Sequence, residues 1–176
     1  HSLEFFEHRW ATKGLNVEGR LDFSGVWRFR ELLPFVKPDQ IVTIGEGRTL
    51  LETNNRVGVE IGMKPGRLFL QYEGLNPSGS FKDNGMTAAF SLAKALGRKR
   101  VACASTGNTS ASLAMFANKT DPPMQGIVFI GSGVIAYGKL SQARYCGSLT
   151  LHIEGYFDAC MRRVKPKKLG PKNWGV

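Results

Sequence analysis

The sequence predicts an α/β protein built on a three-layer parallel sheet with flanking helices. From residue 67 onward, short apolar runs alternate with segments of helical periodicity, which is the pattern of βαβ units. A strand–helix–strand connection of this length places successive strands parallel to each other. Apolar residues make up 42% of the 176 residues, which is enough to form a hydrophobic core.

Three stretches divide the chain: residues 1–66 as a leading segment of a large domain, 67–160 as the α/β region that includes a small domain, and 161–176 as a basic tail. The tail holds six of the 24 basic residues and no acidic one. The other 160 residues carry 18 basic and 14 acidic residues, a net charge of only +4 against +10 for the whole chain. Because the excess charge is concentrated in a terminal segment, this composition disfavours nucleic-acid binding.

Two elements are predicted in the leading segment. Apolar residues between positions 26 and 36 recur at helical spacing and predict a helix, which Pro34 ends or kinks. The apolar run Ile41–Ile44 predicts a short strand, which ends where Gly45 and Gly47 begin a turn.

The α/β region then alternates strands and helices in order. The predicted elements are a strand at 68–72, a helix at 86–96 that Gly97 ends, a strand at 101–104, a helix built on Leu113, Phe116 and Ala117, a strand at 126–130, a helix at 139–146, a strand at 149–153 and a helix at 157–163.

The cysteines and histidines argue against disulfides and metals. The three cysteines, at 103, 146 and 160, include no CxxC pair, and the three histidines are far apart in the chain. Buried thiols and a reducing, cytoplasmic compartment are therefore predicted. No run of eighteen apolar residues exists that would span a membrane.

Three loops follow predicted strands and precede predicted helices, the position at which open α/β sheets bind ligands. The first, NPSGSFKDNGM (76–86), carries Lys82 just before a helix. The positive end of the helix dipole favours the neutral amine there, which can form a Schiff base with an aldehyde cofactor. The alternative is an ordinary surface lysine.

The other two loops also have two interpretations each. STGNTS (105–110) combines hydroxyls, an amide and helix-start N–H groups that suit a carboxylate, or it simply caps a helix. GSGVIA (131–136) fits a dinucleotide-binding fingerprint, with Glu154 at the end of the following strand, or it is an ordinary strand-to-helix turn.

The pair NPSGSFKDNGM and VACASTGNTSASLA resembles pyridoxal-phosphate enzymes of the tryptophan-synthase β fold type, and among them threonine synthase. The segments LLPFVKPDQIVTIGEGRTLL and FIGSGVIAYGKLSQARYCGSLTLHIEGYFDACM are similar to the same family, so the resemblance covers about residues 26–161. It implies a pyridoxal 5'-phosphate cofactor and conversion of O-phospho-L-homoserine to L-threonine and phosphate. It also implies a homodimer and makes GSGVIA a turn that binds no dinucleotide.

The resemblance also implies residue roles. Lys82 would be the Schiff-base lysine and the proton-shuttling base, with Ser80 beside it. Asn108 would bind the phenolic oxygen of the cofactor. The substrate carboxylate would be bound by the hydroxyl residues of the second loop: Ser105, Thr106 and Thr109.

The sequence departs from the family pattern at four positions. The family usually has Pro at Leu50, Lys at Gln71, Arg at Asn84 and Lys at Val134. The family's second glycine-rich loop, which holds the cofactor phosphate, is absent, so this chain alone is predicted to be inactive and to bind the cofactor weakly. A non-catalytic remnant of the fold and a small dinucleotide-binding domain are the alternatives.

Overall fold

The computed structural model describes residues 2–11, 19–133 and 136–164. Its helices and strands in chain order are α1 (Leu3–Ala11), α2 (Gly19–Phe23), 3-10 helices at Trp27–Leu32 and Pro38–Gln40, β1 (Leu50–Thr53), α3 (Asn55–Glu60), β2 (Phe69–Tyr72), a 3-10 helix at Glu73–Leu75, α4 (Lys82–Ala95), β3 (Arg100–Ala104), α5 (Asn108–Lys119), β4 (Gln125–Gly131), α6 (Tyr137–Tyr145), β5 (Leu149–Ile153) and α7 (Phe157–Val164).

Strands β3, β4 and β5 form a parallel sheet in that order. Helix α5 packs against β3 and β4, and α7 also contacts both strands. Alternate residues of a strand point to opposite faces. Val128 and Ile130 join the core that Leu113 of α5 enters, whereas Phe129 lines a cavity with Cys160 of α7. The predicted α/β fold with a parallel sheet between helices is confirmed.

The main core lies between the sheet and helices α4, α5 and α6. Phe90 of α4 stacks on Phe116 of α5, with ring centroids 5.7 Å apart, and both side chains are buried. Burial of one such side chain stabilises the fold by about 1.5–3 kcal/mol. The buried members of this cluster are Val42, Phe90, Leu113, Phe116, Ala117, Met124, Val128, Ile130 and Leu140.

The predicted strand Ile41–Ile44 is wrong, because this segment pairs with no strand among the residues that the structure describes. Its backbone is bonded by side chains of α4 instead. The N–H of Val42 donates to Ser91 Oγ at 2.9 Å, and Thr87 Oγ1 donates to the carbonyl of Val42 at 2.7 Å. The apolar run is buried against helix α4. An apolar run indicates a buried segment, and here the backbone of that segment is bonded to side chains instead of to another strand.

The helix predicted across residues 26–36 is shorter and of a different type. It is a 3-10 helix over Trp27–Leu32, and it ends two residues before Pro34 because the residue preceding a proline avoids helical geometry. Trp27 is fully buried, and its indole N–H donates to Thr87 Oγ1 at 2.7 Å. This bond attaches the leading segment to α4.

The strand predicted at 68–72 exists as β2, but it lies outside the parallel sheet. It pairs antiparallel with β1, where Leu50 lies opposite Tyr72. Strand β1 was not predicted, because all four of its residues are exposed and no alternation of buried and exposed positions marks it. The expectation that the Lys82 loop follows a strand of the parallel sheet is therefore wrong.

The remaining predicted elements are present as α4, β3, α5, β4, α6, β5 and α7. Gly97 follows α4 with a φ of +63°, the left-handed geometry that ends many helices. Helix α7 runs to Val164, and residues 165–176 of the predicted basic tail lie outside the described residues. Among the helices that the structure describes, none is long and apolar enough to cross a membrane.

Candidate active site

Lys82 is the first residue of α4 and is half-buried. Its backbone N–H donates to Ser80 Oγ at 3.3 Å, and its Nζ lies 4.5 Å from the centroid of the exposed Phe81 ring. Across the described residues, no carboxylate forms an ion pair with this amine. The Lys82 side chain is thus held beside an aromatic ring and remains available to a ligand.

Asp83, the next residue, is fully buried. Its Oδ2 accepts a hydrogen bond from the Ser78 N–H at 2.8 Å, and its Oδ1 accepts from Ser78 Oγ at 2.6 Å and from Ser112 Oγ at 2.5 Å. Because Ser112 lies one turn after the start of α5, this carboxylate joins the N-terminal turns of α4 and α5.

Lys139 and Gln142 of α6 bind the other side of the same loop. Lys139 Nζ and Gln142 Nε2 donate to the carbonyl of Ser78 at 2.9 and 3.3 Å. Gly79 has a φ of +78°, and a Cβ there would lie 3.3 Å from Lys139 Nζ. Glycine therefore allows the ammonium group of Lys139 to lie directly against the loop that leads to Lys82.

The STGNTS loop forms the start of α5, whose N-cap Gly107 provides no side-chain cap. Ser105 Oγ accepts from the Gly107 N–H at 3.1 Å, and Ser110 Oγ donates to the Gly107 carbonyl at 2.7 Å. Asn108 and Thr109 are half-buried and, within the described part of the chain, their side chains have no hydrogen-bond partner. A helix start with free amide and hydroxyl groups suits an anionic or polar ligand.

Ser105 and Thr106 line a cavity of about 240 Å³ at the carboxyl end of the parallel sheet. Its other walls come from the glycine-rich loop after β4 and from the aromatic residues Tyr156 and Phe157. The other predicted site residues, Ser80, Lys82, Asn108 and Thr109, do not line this cavity. The structure therefore connects them through the Asp83–Ser112 contact rather than through one pocket.

Two positions at which the sequence departs from the family pattern lie in one network around Glu73. Asn84 and Asn76 donate their side-chain N–H groups to Glu73 Oε2 at 3.2 and 2.8 Å. Thr49 donates to Glu73 Oε1 at 3.3 Å and accepts from Gln71 at 2.8 Å. The carboxylate therefore has neutral donors at both oxygens.

The first half of the fingerprint loop GSGVIA belongs to the wall of the cavity. Gly131, Ser132 and Gly133 line the cavity, whereas Val134 and Ile135 lie outside the described residues. Glu154, which would bind a ribose in a dinucleotide site, is exposed.

Sequence reasoning missed Asp83 and Lys139. Asp83 has a local signal, because an acidic residue in the first turn of a helix is favoured by the dipole. Its partner Ser112 is 29 residues away, and Lys139 lies 61 residues from Ser78. Contacts of that separation become visible only in the folded chain.

The chain is similar in sequence to known proteins over most of its length. The family model described as pyridoxal-phosphate dependent enzyme matches residues 42–174. Threonine synthase from Methanocaldococcus jannaschii is 43% identical over 141 residues, which is 80% of this chain and 34% of that protein. Threonine synthase from Methanosarcina acetivorans is 44% identical over 146 residues, 83% of this chain and 35% of that protein.

Two solved structures share the fold. Maize serine racemase superposes with a TM-score of 0.56 at 20% identity, covering 80% of this chain and 39% of that one. The processed form of threonine deaminase isoform 2 from Solanum lycopersicum gives 0.54 at 18% identity, covering 74% and 35%.

The fold and the match together define the class: this chain belongs to the pyridoxal-phosphate dependent enzyme family. Within it, the chain is most clearly similar to threonine synthases. The chain spans about a third of the length of these curated relatives.

Proposed function

We propose that the protein acts in threonine-synthase-type chemistry, in which pyridoxal 5'-phosphate bound at Lys82 supports the conversion of O-phospho-L-homoserine to L-threonine and phosphate. The observation that carries the proposal is the joint between α4 and α5. The Asp83–Ser112 hydrogen bond brings the turn that begins with Lys82 beside the turn that begins with Asn108.

Each residue of the two turns has a role in the proposal. Lys82 holds the cofactor through its amine and moves protons at the substrate carbons beside the amino nitrogen. Ser80 orients the backbone of Lys82 by accepting its N–H. Asn108 offers its amide to the cofactor. The cofactor, when bound, supplies an electron sink. The substrate carboxylate is bound at the uncapped start of α5, with hydroxyls from Ser105, Thr106 and Thr109.

Lys139 is the basic residue that we assign to the phosphate of the substrate. Its ammonium group lies on the Ser78 carbonyl, in the loop that leads to Lys82. One hydrogen bond to a carbonyl leaves two of its N–H donors for an anion. It also stands in the first turn of α6, where the helix dipole favours negative charge and would attract the same anion.

The activity of these 176 residues by themselves is a separate part of the proposal. The chain spans about a third of its curated relatives, and we infer that it attaches the cofactor weakly and does not turn substrate over alone. A homodimeric assembly and a cytoplasmic location are likewise proposals drawn from the resemblance.

Absorbance spectroscopy tests the proposal. Incubation with pyridoxal 5'-phosphate should give a band above about 400 nm, which Lys82→Ala abolishes and Lys94→Ala, a change at the far end of α4, preserves. O-phospho-L-homoserine should perturb the band more strongly than L-homoserine, and Lys139→Met should remove that difference while Lys119→Met retains it. A band that persists in Lys82→Ala would refute the assignment.

A further inference from the structure

We propose that Asp83 is a positioning residue for Lys82: its buried carboxylate sets the direction in which the Lys82 amine leaves α4. The inference rests on the proposed attachment of the cofactor to Lys82. Asp83 touches neither substrate nor cofactor in this proposal, and it acts through the two elements that it holds together.

The Asp83 carboxylate is buried and is satisfied by hydrogen bonds. Asp83 has no exposed surface, and in the described part of the chain no basic group forms an ion pair with it. A buried carboxylate is costly unless hydrogen bonds replace its hydration. Three hydrogen bonds do so here, because the Ser78 N–H, the Ser78 hydroxyl and the Ser112 hydroxyl all donate to the Asp83 carboxylate.

The buried Asp83 side chain also determines the direction of the neighbouring Lys82 side chain. Consecutive residues of an α-helix point about 100° apart around the helix axis, a consequence of 3.6 residues per turn. Asp83 points into the protein toward Ser112, whereas the Lys82 amine lies beside the exposed Phe81 ring. Fixing the Asp83 side chain therefore fixes the rotation of the first turn of α4 about the helix axis. The direction of the Lys82 side chain is fixed with it.

Asp83 also holds the loop that leads into α4. Ser78 donates to Asp83 through both its N–H and its Oγ, and it accepts from Lys139 and Gln142 through its carbonyl. Asp83 thus fixes Ser78, the same residue that accepts the hydrogen bonds from α6. A change at Asp83 is expected to shift the loop that carries Lys82 without removing any apolar contact of the core.

The experiment uses the whole 176-residue chain and pyridoxal 5'-phosphate as the probe. The protein is incubated with limiting cofactor, reduced with borohydride and digested, and the label on Lys82 and on Lys94 is quantified by mass spectrometry. The variants are Asp83→Asn, which keeps the side-chain volume, and Ser112→Ala, which removes one of the three donors. Asp158→Asn is the matched control, because Asp158 is an exposed aspartate in α7, away from α4.

Asp83→Asn should lower the label at Lys82 about tenfold, the scale of effect expected when a reacting group is misplaced by less than an ångström, while the label at Lys94 stays constant. Ser112→Ala should give a smaller loss, and Asp158→Asn none. A purely structural role would lower both labels together or change only the unfolding midpoint.

Unchanged labelling of Lys82 in Asp83→Asn would overturn the positioning role, as would an equal loss at Lys94. If circular dichroism shows that Asp83→Asn does not fold, Ser112→Ala decides by the same comparison. If the unsubstituted chain itself does not label Lys82 in preference to Lys94, the proposed function fails and the positioning role fails with it.

Discussion

Cys103 illustrates how burial alone controls the reactivity of one residue. Desolvation by burial raises the pKa of its thiol to about 11, and it also raises the pKa of Cys146, which is half-buried. At pH 8 a group with a pKa near 11 is ionised to only about one part in a thousand, and the thiolate is the reactive form.

We therefore expect iodoacetamide at pH 8 to alkylate Cys146 well before Cys103 in the folded protein. In urea both thiols should react at similar rates. Peptide mapping after timed quenching measures the two rates. Faster alkylation of Cys103 than of Cys146 under native conditions would contradict the described burial.

At the scale of residues, the sequence indicates candidate site residues, whereas the contacts of those residues depend on the fold. Lys82 and Asn108 stand in short segments whose composition alone suggests a ligand loop at a helix start. The position of Lys82 at the start of α4 agrees with that pattern. The role of Asp83 cannot be read locally, because its donor Ser112 belongs to another helix.

One buried hydroxyl of α4 binds two points of the leading segment. Thr87 Oγ1 accepts from the indole of Trp27 and donates to the carbonyl of Val42, each at 2.7 Å, and the two bonds are fully buried. Removing the hydroxyl would leave an unpaired indole N–H and an unpaired carbonyl inside the protein.

Thr87→Val, which keeps the side-chain shape, should lower the free energy of unfolding by about 1–3 kcal/mol. Urea denaturation followed by tryptophan fluorescence measures the change. The same substitution at the exposed Thr53 should change it by no more than about 0.5 kcal/mol. Equal effects at the two sites would show that the buried hydroxyl does not hold the segment.

Ion pairs join the first two helices to the segment that follows them. Arg9 and Arg30 both bind Asp22, with 2.6 Å between Arg30 Nη1 and Asp22 Oδ1. Partial burial would raise the pKa of Asp22, but the hydrogen bonds and charges of Arg30 and Arg9 outweigh it and hold the pKa below its ordinary value.

A carboxyl whose pKa is lower in the folded than in the unfolded protein stabilises the fold above its unfolded pKa, near 4. That contribution should disappear as the pH falls below about 4 and through the lower folded value. Melting temperatures measured between pH 6 and pH 2.5 should therefore fall less steeply for Asp22→Asn than for the unsubstituted chain. Parallel curves for the two proteins would contradict this account.

At the scale of elements, the prediction succeeds where periodicity has one dominant cause. Helix α4 and strand β4 each bury a regular face, so their patterns are clear. The sequence predicts a strand at 41–44 that is not formed and does not predict strand β1, and the reasons are opposite. The first is apolar but takes its hydrogen bonds from a helix, and the second forms a ladder while both of its faces remain exposed.

At the scale of the whole molecule, the parallel sheet and the helix that follows β3 place STGNTS at the carboxyl end of the sheet, as the fold class predicts. The Lys82 loop reaches its position by a different route. It follows the antiparallel ribbon of β1 and β2 and is held by α5 and α6 through Asp83 and Ser78.

A crystal structure of the protein after incubation with pyridoxal 5'-phosphate would test directly whether Lys82 holds the cofactor beside Asn108. We expect continuous density from Lys82 Nζ to the cofactor, with the Asn108 amide within hydrogen-bonding distance of the cofactor's phenolic oxygen and the start of α5 facing the same space. A cofactor bound in the cavity beside Ser105 without a link to Lys82, or a separation of more than about 15 Å between Lys82 and Asn108, too long for one small ligand to bridge, would contradict this expectation.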